Sequence, residues 1–194
     1  MEVRTSGSHA GRRAGMIVAL GCLFAAAPGA AEPTLPPEAE AVRAALEKYR
    51  DPVAAVHDGY FSTLGCVHYA EGGMGVHFLN TGLIGPVPDP MAPPILIYEP
   101  DDDGVLHLVA AEWFVPLATG VAERPELFGQ PFDGPMAGHA PLMPEELHHY
   151  DLHVWLFKEN PNGLFNVVNP DVTCEGKGPY ALLEEPPPQV PHHQ

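Results

Sequence analysis

The chain has 194 residues, with 25 acidic side chains against 9 basic ones and a formal net charge of −16. A surface this acidic repels a phosphate backbone and an anionic membrane face, so nucleic-acid binding is close to excluded and cations are the favoured ligands. Hydrophobic residues make up 45% of the chain, enough for one core, while 24 prolines and 20 glycines point to short elements and long connections.

At the N-terminus, Arg4, Arg12 and Arg13 precede an apolar stretch from Ala14 to Ala27, then small residues, then Glu32-Pro33. That is the order of a secretory signal peptide, residues 1–31, and the stretch is too short to be a convincing membrane span. A lipoprotein signal around Cys22 reads poorly, because Ala19 stands where a large aliphatic residue is expected. Cleavage after Ala31 would leave 194 − 31 = 163 residues in a periplasmic or secreted protein. It would also leave two cysteines, Cys66 and Cys174. In an oxidising compartment these are expected as a disulfide, two buried thiols being the alternative.

The first element is a helix over Ala39–Arg50, with Val42, Ala45, Leu46 and Tyr49 at helical spacing; Asp51-Pro52 restarts a second helix to about Asp58. After Phe61 the pattern turns to β. Strands are expected at Val76–Asn80, Ile95–Glu99, Val105–Val115 and Leu152–Phe157, with a short piece at Phe165–Val168. Pro100 to Gly104 is a hairpin connection. The fold class is therefore α+β: N-terminal helices packed on a curved, mainly antiparallel sheet, one domain over residues 32–183. Leu117–Leu147 is a long Pro- and Gly-rich connection, expected to pack over one mouth of the sheet. Residues 184–194 read as a disordered Pro/His tail.

Three apolar runs each carry one isolated titratable group: His77 in Gly75–Leu79, Glu112 in Leu106–Phe114, and His153 in Asp151–Phe157. Burying such groups without partners costs several kcal/mol on the order of magnitude seen for unpaired polar groups, so they should meet something. Two imidazoles and a carboxylate suit a divalent transition metal, Zn, Cu, Fe or Mn alike, with Glu99 as a fourth ligand or an outer acceptor. A Glu–His hydrogen-bonded pair beside a core histidine is the metal-free alternative. His148-His149 with His153 has the spacing of a helical zinc motif, but Tyr150 stands where its glutamate should be. His57, His107 and His139 read as ordinary exposed or helix-end residues.

Serine-hydrolase chemistry has little support: Ser62 is the single serine after residue 31, and there is no Gly-x-Ser-x-Gly. Gly72-Gly73-Met74-Gly75 matches no nucleotide fingerprint and reads as a tight backbone approach entering the His77 strand.

The segments Leu64-Gly65-Cys66, GGMGVHF from Gly72, Ile97–Pro100, Leu127–Phe132, and YDLHVWLFKENPNGLF from Tyr150 together resemble a family of secreted bacterial proteins with no established activity. The resemblance covers most of the chain after residue 31 and implies export and a single domain. The sequence thus points to an exported metal-binding protein using His77, Glu112, His153 and Glu99. The competing reading is a metal-free binder of a small hydrophobic ligand, in a pocket lined by Tyr98, Trp113, Trp155 and Phe157; a third is a structural envelope protein.

Overall fold

Pro37 at the first helical position and Glu38 and Glu40 in the first turn start α1 (Pro37–Leu46) where the backbone amides and dipole favour them. The structure, a computed structural model, describes residues 35–177 and 180–192; the proposed signal segment lies outside the described residues. Ala39, Val42 and Leu46 form the buried stripe of α1, which tightens into a 3-10 turn over Glu47–Arg50 that buries Tyr49. The Asp51 side chain then accepts from the Val53 amide at 2.9 Å and opens α2 (Pro52–His57).

Nine strands follow among the described residues: β1 (Phe61–Tyr69), β2 (Gly72–Leu79), β3 (Ile95–Pro100), β4 (Leu106–Pro116), β5 (Glu126–Leu127), β6 (Gln130–Pro131), β7 (Asp133–Met136), β8 (His149–Val154) and β9 (Tyr180–Leu183). Seven of them make one curled sheet in the order β7-β8-β4-β3-β2-β1-β9, while β5 and β6 pair as a separate hairpin. All its pairings are antiparallel except β1 with β9. The domain is mainly β, with a mixed sheet and one 14-residue helical segment, rather than an evenly divided α+β fold.

Alternation divides the sheet into two faces. Val76, Phe78, Leu96, Tyr98, Ala111, Trp113, Tyr150 and Leu152 pack with α1 in the larger core. On the other face Ile95, Ile97, Ala110 and Phe114 form a second core with Trp155 and Val172. Apolar residues on both faces of the central strands are what a sheet covered on both sides requires. The second cover is the end of the long connection: Met143 and Leu147 lie against that core. The cover turns tightly at Gly138, where an added Cβ would come within 1.8 Å of the Pro144 carbonyl oxygen.

Several expected boundaries move. The last strand of the antiparallel set is His149–Val154, three residues earlier than expected. Trp155 and Phe157 are buried or half-buried by packing, but their amides leave the ladder for Leu164 and Val109 carbonyls. Phe165–Val168 forms no strand, because Asn160, Asn166 and Asn169 accept from the Asn162, Val168 and Asp171 amides and hold that stretch in turns. The expected disordered tail is instead seated on the domain as far as His192. The Glu184 amide donates to the His68 carbonyl at 2.9 Å, Ala137 to Pro188 at 3.0 Å and Val190 to Pro135 at 2.8 Å. Backbone hydrogen bonding to β1 and β7 outweighs a composition that otherwise resists order.

Cys66 and Cys174 are bonded, 108 residues apart. The bridge fastens β1 to the segment leading into β9, and for a loop of this length the chain-entropy model gives about 4 to 5 kcal/mol as an upper figure.

Candidate metal centre

Glu112 on β4 stands directly opposite His153 on β8. His77 lies on β2, with β3 between it and β4, so about 10 Å of sheet separates its strand from that of Glu112. Sheet curl and two long side chains close that gap. His77 Nε2 lies 3.3 Å and His153 Nε2 3.5 Å from the same oxygen, Glu112 Oε2. Gly75 sets the entry of β2: its φ is +118° and a Cβ there would sit 2.6 Å from the Tyr98 carbonyl oxygen, the tight approach the glycine run implied. His77, Glu112 and His153 thus come together as the sequence pattern proposed.

Glu112 is 4% exposed and His153 2% exposed. Among the described residues, Glu112 Oε2, both ring nitrogens of His153 and Nδ1 of His77 have no hydrogen-bond partner. Buried ligand-type atoms left this way call for an explanation. Their spacing offers one. Charge-assisted N–H···O bonds run about 2.7 to 2.9 Å, shorter than either contact here. Donor atoms about 2.0 to 2.1 Å from a tetrahedral ion stand about 3.3 Å from one another. In the metal-free cluster, burial pushes the Glu112 carboxyl up, but protonated His153 and His77 facing it pull harder, and its pKa falls to about 2.

The other proposed residues lie elsewhere. Glu99 is held by the Lys158 ammonium at 2.6 Å, and it stands four residues along β3 from Ile95, the neighbour of Glu112, about 13 Å away. It is an ion-pair partner, and the structure does not bring it together with the other three. The four aromatics do not line a shared pocket. Tyr98 and Trp113 belong to the α1-side core, where Tyr98 donates to the Tyr49 carbonyl and Trp113 to that of Asp89. Trp155 is packed in the opposite core and donates to Asn166 O, while Phe157 sits beneath Arg43 and Arg50.

A cavity of about 190 Å³ does exist, on the face away from α1. Val67, Met74, Leu79, Ile95, Phe114 and the covering residues Leu142 to Pro144 make its apolar wall, and His77, Glu112 and His153 open into it. So do His139, expected as an ordinary exposed or helix-end residue, and Glu184, expected as the start of the tail.

These two belong to a second group. His149 and Asp151 precede His153 on the same face of β8, and His139 approaches from the cover so that its Nε2 lies 3.3 Å from His149 Nε2. His149 Nε2 is 3.7 Å from Asp151 Oδ2, and His139 Nδ1 is 3.1 Å from Glu184 Oε2. Burial lowers the affinity of His139 for a proton, but the Glu184 carboxylate more than offsets this and its pKa is raised. His139, His149 and Asp151 thus form another set whose ligand atoms lie close enough together to hold a metal ion. The period-two string His149-Tyr150-Asp151-Leu152-His153 carried part of this signal. His139 and Glu184 carried none, being placed by long-range packing.

Comparison of the chain with family models, with curated proteins and with solved structures finds no match, so its function has to be read from its own geometry.

Proposed function

We propose that the protein binds a divalent transition metal through His77, Glu112 and His153, leaving a further coordination position open to the cavity. The observation that carries this is the pair of 3.3 and 3.5 Å contacts converging on one buried, otherwise unpartnered carboxylate oxygen. Three protein ligands of this type with an open position are the pattern of metal sites that polarise a bound oxygen or activate water, and that is the chemistry a bound ion would supply. The chain's own contribution is to hold two imidazoles and one carboxylate on three different strands, beside an apolar wall.

The cavity supports a second reading, capture of a small apolar molecule. At about 190 Å³ it exceeds the roughly 150 Å³ of an engineered apolar cavity that takes benzene. The two readings combine if the molecule enters beside the metal.

Export belongs to the same proposal. It is supported by the basic, apolar and small-residue order of residues 1–31, by the resemblance to secreted bacterial proteins, and by the disulfide. No helix of the described residues is long and apolar enough to cross a membrane.

Elemental analysis of the untagged protein beside His77→Ala and His153→Ala variants tests the metal. Stoichiometric metal in the wild type that falls by one equivalent in each variant is expected. A wild type without metal, whose uptake neither variant alters, ends the proposal.

A further inference from the structure

The second histidine group contains a conflict of hydrogen-bonding roles. A carbonyl oxygen can only accept, so the 2.9 Å contact of His149 Nδ1 with Leu147 O places a proton on that Nδ1. The carboxylate of Glu184 likewise takes the proton of His139 Nδ1. With no second proton on either ring, each has a bare lone pair at Nε2. Those two nitrogens face one another at 3.3 Å.

Two lone pairs at that separation need a cation between them. A shared proton would satisfy the nitrogens but not Asp151, whose Oδ1 is buried and unpartnered and whose Oδ2, at 3.7 Å from His149, is beyond hydrogen-bonding reach. A metal ion satisfies all three residues together. The separation of the two nitrogens also matches the edge of about 3.3 Å between ligands of a tetrahedral ion. Anchoring the far ring nitrogen of each ligating histidine to a carboxylate or carbonyl is the usual way such ligands are oriented.

We propose that His139, His149 and Asp151 bind a second metal ion on the same cavity wall, with Glu184 as the positioning residue that fixes the His139 ring. The site shares no ligand with the His77–Glu112–His153 group, and Asp151 and His153 stand about 7 Å apart along β8. It is assembled from the cover, from β8 and from the residue that follows β9. A bound ion therefore ties the cover and the C-terminal segment to the sheet.

Cobalt(II) titration of the untagged, chelator-treated full chain, followed by visible absorption and by equilibrium stoichiometry, tests this. The wild type should take up two equivalents, of which His139→Gln loses one and His77→Gln the other. Glu184→Ala, which touches no ion, should weaken only the equivalent that depends on His139, by about tenfold to a hundredfold, and Glu184→Gln, whose carbonyl still accepts from Nδ1–H, should recover part of it. A single equivalent kept by His139→Gln and lost by His77→Gln overturns the second site and leaves the first. One equivalent lost by His139→Gln and kept by His77→Gln sustains the second site and removes the first. No uptake ends both. Should His139→Gln fail to fold, an unchanged titration of Glu184→Ala is itself enough to overturn the proposal.

Discussion

The two histidine groups divide the work of building a metal site in opposite ways. His77, Glu112 and His153 stand on three strands of one sheet, so their backbones are fixed, yet the Nδ1 atoms of both histidines lack partners among the described residues. His139 and His149 have their far nitrogens anchored, by Glu184 and by Leu147, but one ligand comes from a cover and its anchor from the C-terminal segment. The first group has all three ligands on strands but unanchored Nδ1 atoms; the second has both rings anchored but takes one of its three ligands from the cover. Ligand placement and ligand orientation are separate problems, and one sheet face solves each in a different place.

The largest expected effect comes from breaking the first group at its shared oxygen. Glu112→Ala removes the carboxylate that both imidazoles face, and cobalt uptake at that site should fall by more than about a hundredfold, with the His139 site retained. Without metal, removing the one carboxylate of this buried cluster should also cost about 3 to 5 kcal/mol in denaturant unfolding.

Reducing the disulfide should act on the other side of the comparison. Stability should drop by up to about 4 to 5 kcal/mol, lowering the thermal midpoint by about 10 °C, and the His139 site should weaken more than the His77 site. Equal weakening of both would erase the distinction drawn between them.

Acidity separates the groups in the metal-free protein. Glu112 has a folded pKa of about 2 against a usual 4.5, so its contribution to stability is present above 4.5 and is lost as pH falls towards 2. His139 has a raised pKa, so its contribution is full below its usual 6.5 and is lost as pH rises through the raised value. Thermal midpoints of chelated protein should therefore peak between pH 4.5 and 6.5. A flat profile across that window and beyond it would contradict both assignments.

The smallest effect concerns Glu99. Glu99→Gln should change stability by less than about 1 kcal/mol through its pairing with Lys158, and should leave cobalt stoichiometry untouched.

How far the site could be read from sequence follows from which signals are local. Glu112 and His153 were visible because each interrupts an apolar strand, and a buried polar interruption has to be answered somewhere. That they meet depends on β4 and β8 being neighbours, and that His77 joins them depends on curl across β3; neither is a property of any short segment. His149 and Asp151 were hidden by treating the polar start of the strand as its boundary, although Tyr150, Leu152 and Val154 alternate with them towards the α1-side core. β1 was missed because it is irregular: Leu64 takes a φ of 65° and the pairing with β2 slips between Ser62 and Cys66. β9 was missed because a four-residue strand pairing in parallel with a distant partner leaves almost no trace in composition.

The Cys66–Cys174 bond also sets a local concentration. Glu184 lies 184 − 174 = 10 residues beyond Cys174, and a free chain of that length spans about 16 to 19 Å on average. With the bond closed, the carboxylate that orients His139 is confined to a small volume around β1, at an effective concentration on the order of millimolar. With the bond open, that leash to β1 runs back through more than a hundred residues of chain, and Glu184 is brought to its histidine only by the pairing of β9 and by the backbone bonds of the C-terminal segment to His68, Pro135 and Ala137.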